Sequence, residues 1–250
     1  MKLTILGSGT CIPNTNRGSS GYLLEIESSK ILLDCGSGTT WKLEKLGINY
    51  LEIDHIFFSH IHPDHTGDLA AFLFATKYNH YMKREKPLSL WGGDGFMKFY
   101  DALKGAYGNW ISPDALMVDE IKGGSQSFED FRILTTKVPH IESSLAYRIE
   151  TEGKSIVYSG DTNYSEALIN LSSKVDLLLI ECAIAKDEYE PKYNHLSPSD
   201  VVKIINAAKP QKAVITHLYS ECDKEKVVET IRNNVDIKVI EAQDLLEIQI

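Results

Sequence analysis

The sequence has no apolar run long enough to cross a bilayer, and its first residues lack the apolar stretch and cleavage site of a signal peptide. Low-complexity segments and linkers rich in proline or serine are also missing. The four cysteines, Cys11, Cys35, Cys182 and Cys222, form no CxxC pair, which argues against a zinc knuckle and a disulfide scaffold. We therefore expect a cytoplasmic protein with one domain over residues 1–250.

The sequence has fewer basic than acidic residues. The formal net charge is −9, with 26 Lys and Arg against 35 Asp and Glu. Broad nonspecific binding to nucleic acid is disfavoured, because phosphate contacts need Lys and Arg. A small anionic substrate held by metal ions, or a local basic patch, remains compatible with this balance.

Short β-branched and aromatic runs alternate with helical patterns in both halves, which predicts an α/β fold. Strands are expected at 2–7, 21–27, 30–34, 54–59, 131–134, 145–149, 155–158, 175–180 and 212–217, with two more at the end. Helices are expected at 66–80 and 94–106. A third should begin after Ser197, because Ser197, Pro198 and Asp200 form an N-terminal capping pattern, and should end near Pro210.

Histidines and an aspartate cluster directly after the strand predicted at 54–59. His60, His62, Asp64 and His65 fall within six positions, and Pro63 lies between them. A loop can turn neighbouring side chains toward one centre, whereas a regular strand would send them to opposite faces. Imidazole and carboxylate groups suit zinc. The cluster therefore predicts a metal site.

Three more polar residues follow later strands. His140, Asp161 and His217 each stand where an apolar strand runs out into a loop. Such positions commonly carry site residues in layered α/β folds. Any one of them alone would suit a structural role, but together with the first cluster they predict two metal sites.

This ordered set, HxHxDH followed by a distant His, an Asp and a His, resembles the metallo-β-lactamase superfamily over nearly the whole chain. The resemblance implies an αββα sandwich, in which two mixed β-sheets flanked by helices hold two divalent metal ions at one edge. One ion would be held by His60, His62 and His140, the other by Asp64, His65 and His217, with Asp161 bridging both. Asp34 matches the family's aspartate after an early strand, which orients the metal loop.

Four further segments are similar to the ribonuclease Z branch. They are GSGT at 7–10, DCGSGT at 34–39, PLSLWG at 87–92 and NHLS at 194–197. In that branch a histidine between the bridging Asp and the last metal His contacts the substrate phosphate and the Asp of the HxHxDH motif. His195 occupies that interval, so the resemblance implies catalytic roles for Asp64 and His195.

One feature departs from the branch. Ribonuclease Z enzymes that process transfer RNA carry a protruding arm rich in Gly and Pro, whereas residues 108–127 predict only a short connection here. This difference and the acidic balance put a transfer-RNA substrate in doubt, without affecting the metal chemistry.

The leading hypothesis is a metal-dependent phosphodiesterase similar to ribonuclease Z, acting on RNA 3′ ends or a smaller phosphodiester. Two Zn²⁺ ions are the first expectation, with Mn²⁺ or Fe²⁺ as alternatives, and the resemblance suggests a homodimer. A cyclic-nucleotide or cyclic-phosphate phosphodiesterase, or an arylsulfatase-like hydrolase, is the main alternative. Thioesterase or lactamase chemistry, a di-iron redox enzyme and a noncatalytic binding module are weaker alternatives.

Overall fold

The computed structural model describes residues 1–186 and 194–250. Its first sheet has the strand order β14-β1-β2-β3-β4-β5-β6. The strands of this sheet are β1 (Lys2–Gly7), β2 (Gly21–Glu25), β3 (Lys30–Cys35), β4 (His55–Phe57), β5 (Leu88–Gly92), β6 (Leu116–Glu120) and β14 (Glu247–Gln249). Strands β3 to β6 run parallel, so their carboxyl ends share one edge.

The second sheet has the order β13-β12-β11-β10-β9-β8-β7. Its strands are β7 (Gly124–Ser127), β8 (Arg132–Lys137), β9 (Leu145–Thr151), β10 (Lys154–Tyr158), β11 (Leu177–Glu181), β12 (Lys212–Thr216) and β13 (Lys238–Glu241). Strands β10 to β13 are parallel, whereas the β7–β8, β8–β9 and β9–β10 pairs are antiparallel. Both sheets are therefore mixed, as expected.

Helices cover the outer faces of the two sheets. They are α1 (Thr39–Lys45), α2 (Pro63–Thr66), α3 (Leu69–Tyr78), α4 (Phe96–Tyr107), α5 (Glu166–Leu171), α6 (Pro198–Ala208), α7 (Ser220–Lys224) and α8 (Val227–Arg232). Among residues 1–186 and 194–250, no helix combines the length and apolar character that crossing a bilayer requires.

Alternation along each strand builds three apolar layers. Tyr22 and Leu24 point into the core between the sheets, whereas Leu23 between them packs toward the helices outside. On the second sheet, Leu178 likewise packs outward, against α5, α6 and α8. Because both faces are covered, every residue of β11 is buried, as its nearly unbroken apolar run predicts. The expected αββα sandwich is confirmed.

The sequence predicted one helix over 66–80, but the structure has a helix that ends at Thr66 and a second that covers Leu69–Tyr78. Helix α2 ends at Thr66 and α3 starts at Leu69, and Asp68 lies between them. The Asp68 carboxylate accepts hydrogen bonds from the backbone N–H groups of Gly38 (3.0 Å) and Thr40 (2.8 Å). The chain breaks there because Asp68 caps α1, a helix that the sequence analysis did not predict.

The segment between α4 and β8 also differs from a simple connection. Residues 116–120 and 124–127 form β6 and β7, the edge strands of the two sheets, after a 3₁₀ turn at Gly108–Ile111. The segment is therefore used to complete the sheets. Within residues 108–127, all of which the structure describes, no arm projects from the sandwich.

The loop between β1 and β2 is tied to the far end of the chain. Asp244 accepts hydrogen bonds from Ser8 N (2.9 Å), Ser8 Oγ (2.8 Å) and Gly18 N (2.8 Å), and forms an ion pair with Lys42 (2.5 Å). The buried Arg17 guanidinium donates to the carbonyl of Ala242 (2.6 Å). These contacts fix a loop that would otherwise be long and polar.

Replacing Asp244 should therefore destabilise the fold. Asp244→Ala leaves several donors without their acceptor, and we expect a loss of about 2–4 kcal/mol in the free energy of unfolding, measured in urea. The exposed Asp236→Ala is the matched control, and its change should stay within about 0.5 kcal/mol. Equal effects of the two substitutions would contradict this role.

Candidate metal centre

The candidate ligands of the first cluster come from a loop and a one-turn helix. Strand β4 ends at Phe57, His60 and His62 lie on the loop after it, and Asp64 and His65 belong to α2. Pro63 occupies the first helical position, where its missing N–H costs nothing. The change from strand to loop to helix turns all four side chains toward one region.

The three later residues arrive from the second sheet. His140 follows β8, Asp161 follows β10 and His217 follows β12 directly. His217 has a positive φ of 55°, which is an uncommon backbone conformation for a residue other than glycine. The structure brings all seven predicted side chains to one edge of the sandwich.

Three imidazoles form the first group. His62 Nδ1 lies 3.0 Å from His60 Nε2 and 3.2 Å from His140 Nε2. Asp161 Oδ2 lies 3.7 Å from His60 Nε2 and 3.9 Å from His140 Nε2. These four residues can face one ion.

The second group shares that same carboxylate. Asp161 Oδ2 is 3.3 Å from His65 Nε2 and 3.3 Å from His217 Nε2. Asp64 Oδ2 is 3.7 Å from His65 Nε2 and 4.0 Å from His217 Nε2. Asp161 therefore stands between the two groups.

The donor set fits divalent metal ions. Zinc–nitrogen bonds of about 2.0–2.1 Å place tetrahedral ligand atoms about 3.3 Å apart, close to the spacings in both groups. His65 Nε2 is buried without a hydrogen-bond partner in the described chain, as a ligand nitrogen would be. Burial, followed by the proximity of His65, holds the pKa of His60 well below its usual value, which favours the neutral form that binds metal.

Asp161 is held as a carboxylate. Burial by itself would raise its pKa, but His217 and His65 outweigh burial and hold the pKa well below the usual value. An ionised oxygen is therefore present where the two groups meet.

Asp34 holds the candidate ligand His65 in place through a hydrogen-bond network. Its carboxylate accepts hydrogen bonds from His65 Nδ1 (2.7 Å), Ser59 N (2.6 Å), Ser59 Oγ (2.7 Å) and Tyr158 Oη (2.5 Å). The bond to His65 turns Nε2 of that ring toward Asp161. Such partners fix the orientation of metal-binding imidazoles.

His195 lies beside both groups. Its ring centroid is 4.9 Å from that of His140 and 5.7 Å from that of His217. Its Nδ1 donates to Glu181 Oε1 at 2.8 Å. The described partner is thus Glu181 rather than the Asp64 that the resemblance implied.

Glu181 is a candidate site residue that the sequence analysis missed. It ends the apolar strand β11, is 1% exposed, and accepts from the backbone N–H groups of Thr162 (2.8 Å) and Ala183 (3.1 Å). Burial lowers the pKa of His195, but Glu181 outweighs burial and raises it to about 9. The available signal was an acid at the end of a strand that is otherwise apolar.

The two sheets and this edge define a hydrolase of the metallo-β-lactamase fold, similar to the ribonuclease Z branch. Residues 1–233 match the sequence model of the family described as Anti-Pycsar protein Apyc1, and the chain belongs to that family.

Individual relatives agree on the superfamily. Probable metallo-hydrolase YhfI of Bacillus subtilis is 28% identical over 223 residues, covering 87% of each chain. Its crystal structure superposes with a TM-score of 0.86, at 23% identity, covering 99% of each chain. Ribonuclease Z of Methanothermobacter thermautotrophicus is 21% identical, covering 100% of this chain and 97% of its own. The short form of human tRNase Z has a TM-score of 0.80 at 20% identity, covering 100% of this chain and 99% of its own.

Removing the shared carboxylate should empty the site. Asp161→Ala leaves both groups without their common oxygen, so we expect metal content, measured by elemental analysis, to fall to less than about half of wild type. Asp54→Ala is the matched control, since Asp54 is also buried but lies just before β4, at the opposite end of that strand from the candidate ligands. Full metal content in Asp161→Ala would remove Asp161 from this role.

Proposed function

We propose that this metallo-hydrolase is a phosphodiesterase with two metal ions, acting on small phosphodiesters, with cyclic nucleotides the first class to test. One observation carries the proposal: Asp161 Oδ2 lies 3.3 to 3.9 Å from four imidazole nitrogens that belong to two separate groups.

One ion would be held by His60, His62 and His140, the other by Asp64, His65 and His217, with Asp161 touching both. When bound, a metal pair supplies Lewis-acid activation of water and neutralises the charge of a phosphodiester. Zinc remains our first choice, because imidazole and carboxylate sets of this size suit it, and manganese and iron are alternatives. Homodimer formation and a cytoplasmic location stay predictions.

Asp64 is the candidate to orient and deprotonate the attacking water. Its side chain is 10% exposed, so one carboxylate oxygen can meet solvent while Oδ2 faces His65 and His217. A positioned carboxylate can accept a proton within hydrogen-bond reach.

His195 is the candidate to bind the phosphate. Glu181 holds its Nδ1, which leaves Nε2 as the second donor of the imidazolium. Nitrogen or oxygen atoms of Asp161, His195 and His217 lie within 4.8 Å of one another. A cationic donor at this place would stabilise charge on the phosphate oxygens or protonate the leaving oxygen.

The segment at 108–127 and the net charge both bear on the size of the substrate. Residues 108–127 complete the two sheets rather than form an arm that could grip RNA. The net charge of −9 also gives little support for a long RNA footprint. Both observations favour a small phosphodiester.

Cleavage at RNA 3′ ends is the second candidate. It is favoured by the alignment of the whole chain with the ribonuclease Z of Methanothermobacter thermautotrophicus. An arylsulfatase-like activity is a further alternative within the same fold.

A substrate panel tests the choice. Protein reconstituted with zinc or manganese is assayed on 3′,5′-cyclic AMP, bis(p-nitrophenyl) phosphate, p-nitrophenyl sulfate and precursor transfer RNA. We expect hydrolysis of the first two, with a kcat/KM for the cyclic nucleotide at least about tenfold above that for precursor transfer RNA. The opposite order would make RNA the substrate, and sulfate-only activity would remove the phosphodiesterase.

Loss of the His195 imidazole should lower kcat without lowering the metal content. His195→Ala should keep nearly full metal content and cut kcat by about a hundredfold or more, the usual scale for losing a general acid. Glu181→Gln should show a smaller loss, since the imidazole stays but its carboxylate partner is gone. The exposed His80→Ala is the control. Unchanged kcat in His195→Ala would refute the assignment.

A further inference from the structure

A backbone group of a distant segment holds the ring of His140. Its Nδ1 donates to the carbonyl of Asn194 at 2.9 Å, and Asn194 Nδ2 returns a weaker contact of 3.5 Å to the carbonyl of His140. The pair joins the loop after β8 to the segment before α6. Neither the ligand assignment nor the catalytic assignment above uses Asn194.

The Asn194 carbonyl decides which nitrogen of His140 faces the metal centre. A carbonyl oxygen can only accept a hydrogen bond, so Nδ1 carries the proton and the neutral ring keeps its lone pair on Nε2. That Nε2 lies 3.2 Å from His62 Nδ1 and 3.9 Å from Asp161 Oδ2. The contact therefore presents Nε2 as the ligand atom of the first group.

An uncommon backbone conformation at Asn194 directs its carbonyl. The φ of Asn194 is 47°, which lies in the left-handed region. Asparagine and glycine enter this region far more readily than a β-branched residue does. The type of residue at 194 therefore controls whether the carbonyl can meet His140.

The residues that follow Asn194 are anchored to a buried carboxylate. Glu181 accepts from His195 Nδ1 at 2.8 Å through Oε1 and from Leu196 N at 3.3 Å through Oε2. Because Asn194 adjoins His195, one short stretch of chain carries both the acceptor for His140 and the imidazole assigned to the phosphate. A change in the backbone at 194 would disturb both.

We propose that Asn194 is a positioning residue that couples the first metal group to His195. Its carbonyl orients His140, and its left-handed backbone lets the next residue reach Glu181. The inference rests on the proposed function, because it takes His140 as a metal ligand and His195 as a donor to the phosphate. Asn194 itself touches neither an ion nor the substrate in this role.

Metal affinity tests the coupling without turnover. Asn194→Val should turn the carbonyl away from His140 and raise one of the two Zn²⁺ dissociation constants at least about tenfold, the usual scale for losing such a partner. Competition with a chromophoric chelator measures both constants. The other constant should change less than about threefold, because His140 belongs to one group only. Asn194→Gly keeps the left-handed backbone and should stay within about threefold of wild type.

Lys174→Val is the matched control. Lys174 is exposed and has a φ of 52°, so valine meets the same backbone conflict there, but the residue precedes β11, at the opposite end of that strand from Glu181. Its melting temperature should fall as much as that of Asn194→Val, while both Zn²⁺ constants stay within about twofold of wild type. Unchanged Zn²⁺ constants in Asn194→Val, or an equal loss of affinity in both valine variants, would overturn the inference.

Spectroscopy and turnover test the two halves of the coupling. The visible spectrum of Co²⁺-substituted Asn194→Val should differ from that of wild type, whereas Asn194→Gly should resemble wild type. At saturating Zn²⁺, kcat on bis(p-nitrophenyl) phosphate should fall at least about tenfold in Asn194→Val and recover in Asn194→Gly. A wild-type kcat in the valine variant would overturn the link to His195.

Failure of the proposed function gives a different result. A wild type that binds two Zn²⁺ ions but hydrolyses no phosphodiester of the panel would overturn the proposed function alone, since the Zn²⁺ constants would still decide whether Asn194 orients His140. A wild type that binds no Zn²⁺ would overturn both.

Discussion

The site depends on one carboxylate oxygen that faces imidazoles delivered by both sheets. Asp161 Oδ2 meets His60 and His65 from the loop and helix after β4, and His140 and His217 from the second sheet. The strands that precede these residues could not shift relative to one another without moving the imidazole nitrogens away from Asp161. The packed core between the sheets therefore sets the geometry of the metal centre, and core packing tolerates little displacement.

Hydrogen bonds reinforce that constraint across the sandwich. Tyr158, which ends β10 in the second sheet, donates to Asp34 at the end of β3 in the first, and Asp34 in turn holds His65. Ser20, on the other side, lies 2.9 Å from His217 Nδ1. Ligand orientation is thus controlled by residues of both sheets, which makes each ring less free to turn than its position at a loop would suggest.

Local patterns in the sequence predicted the α/β class and the seven candidate side chains, whereas the αββα sandwich and the division of ligands between two ions came from the resemblance to the metallo-β-lactamase superfamily. Polar residues that end apolar strands meet at one edge when those strands are parallel. The partner of His195 could not be predicted in this way. Glu181 ends β11, whose other residues are all apolar, and its partner His195 lies before α6. The break between α2 and α3 was equally hidden, since it depends on where Asp68 meets α1.

The relatives carry different functional names on one fold, and the structure suggests where such differences reside. In the proposed reaction, metal ions held by these side chains would act on the phosphate, which is common to RNA, cyclic nucleotides and simple diesters. Discrimination must then come from walls that meet the rest of the substrate. In this chain the segment at 108–127 supplies edge strands of the two sheets. A long polyanion gains little from edge strands that carry no arm.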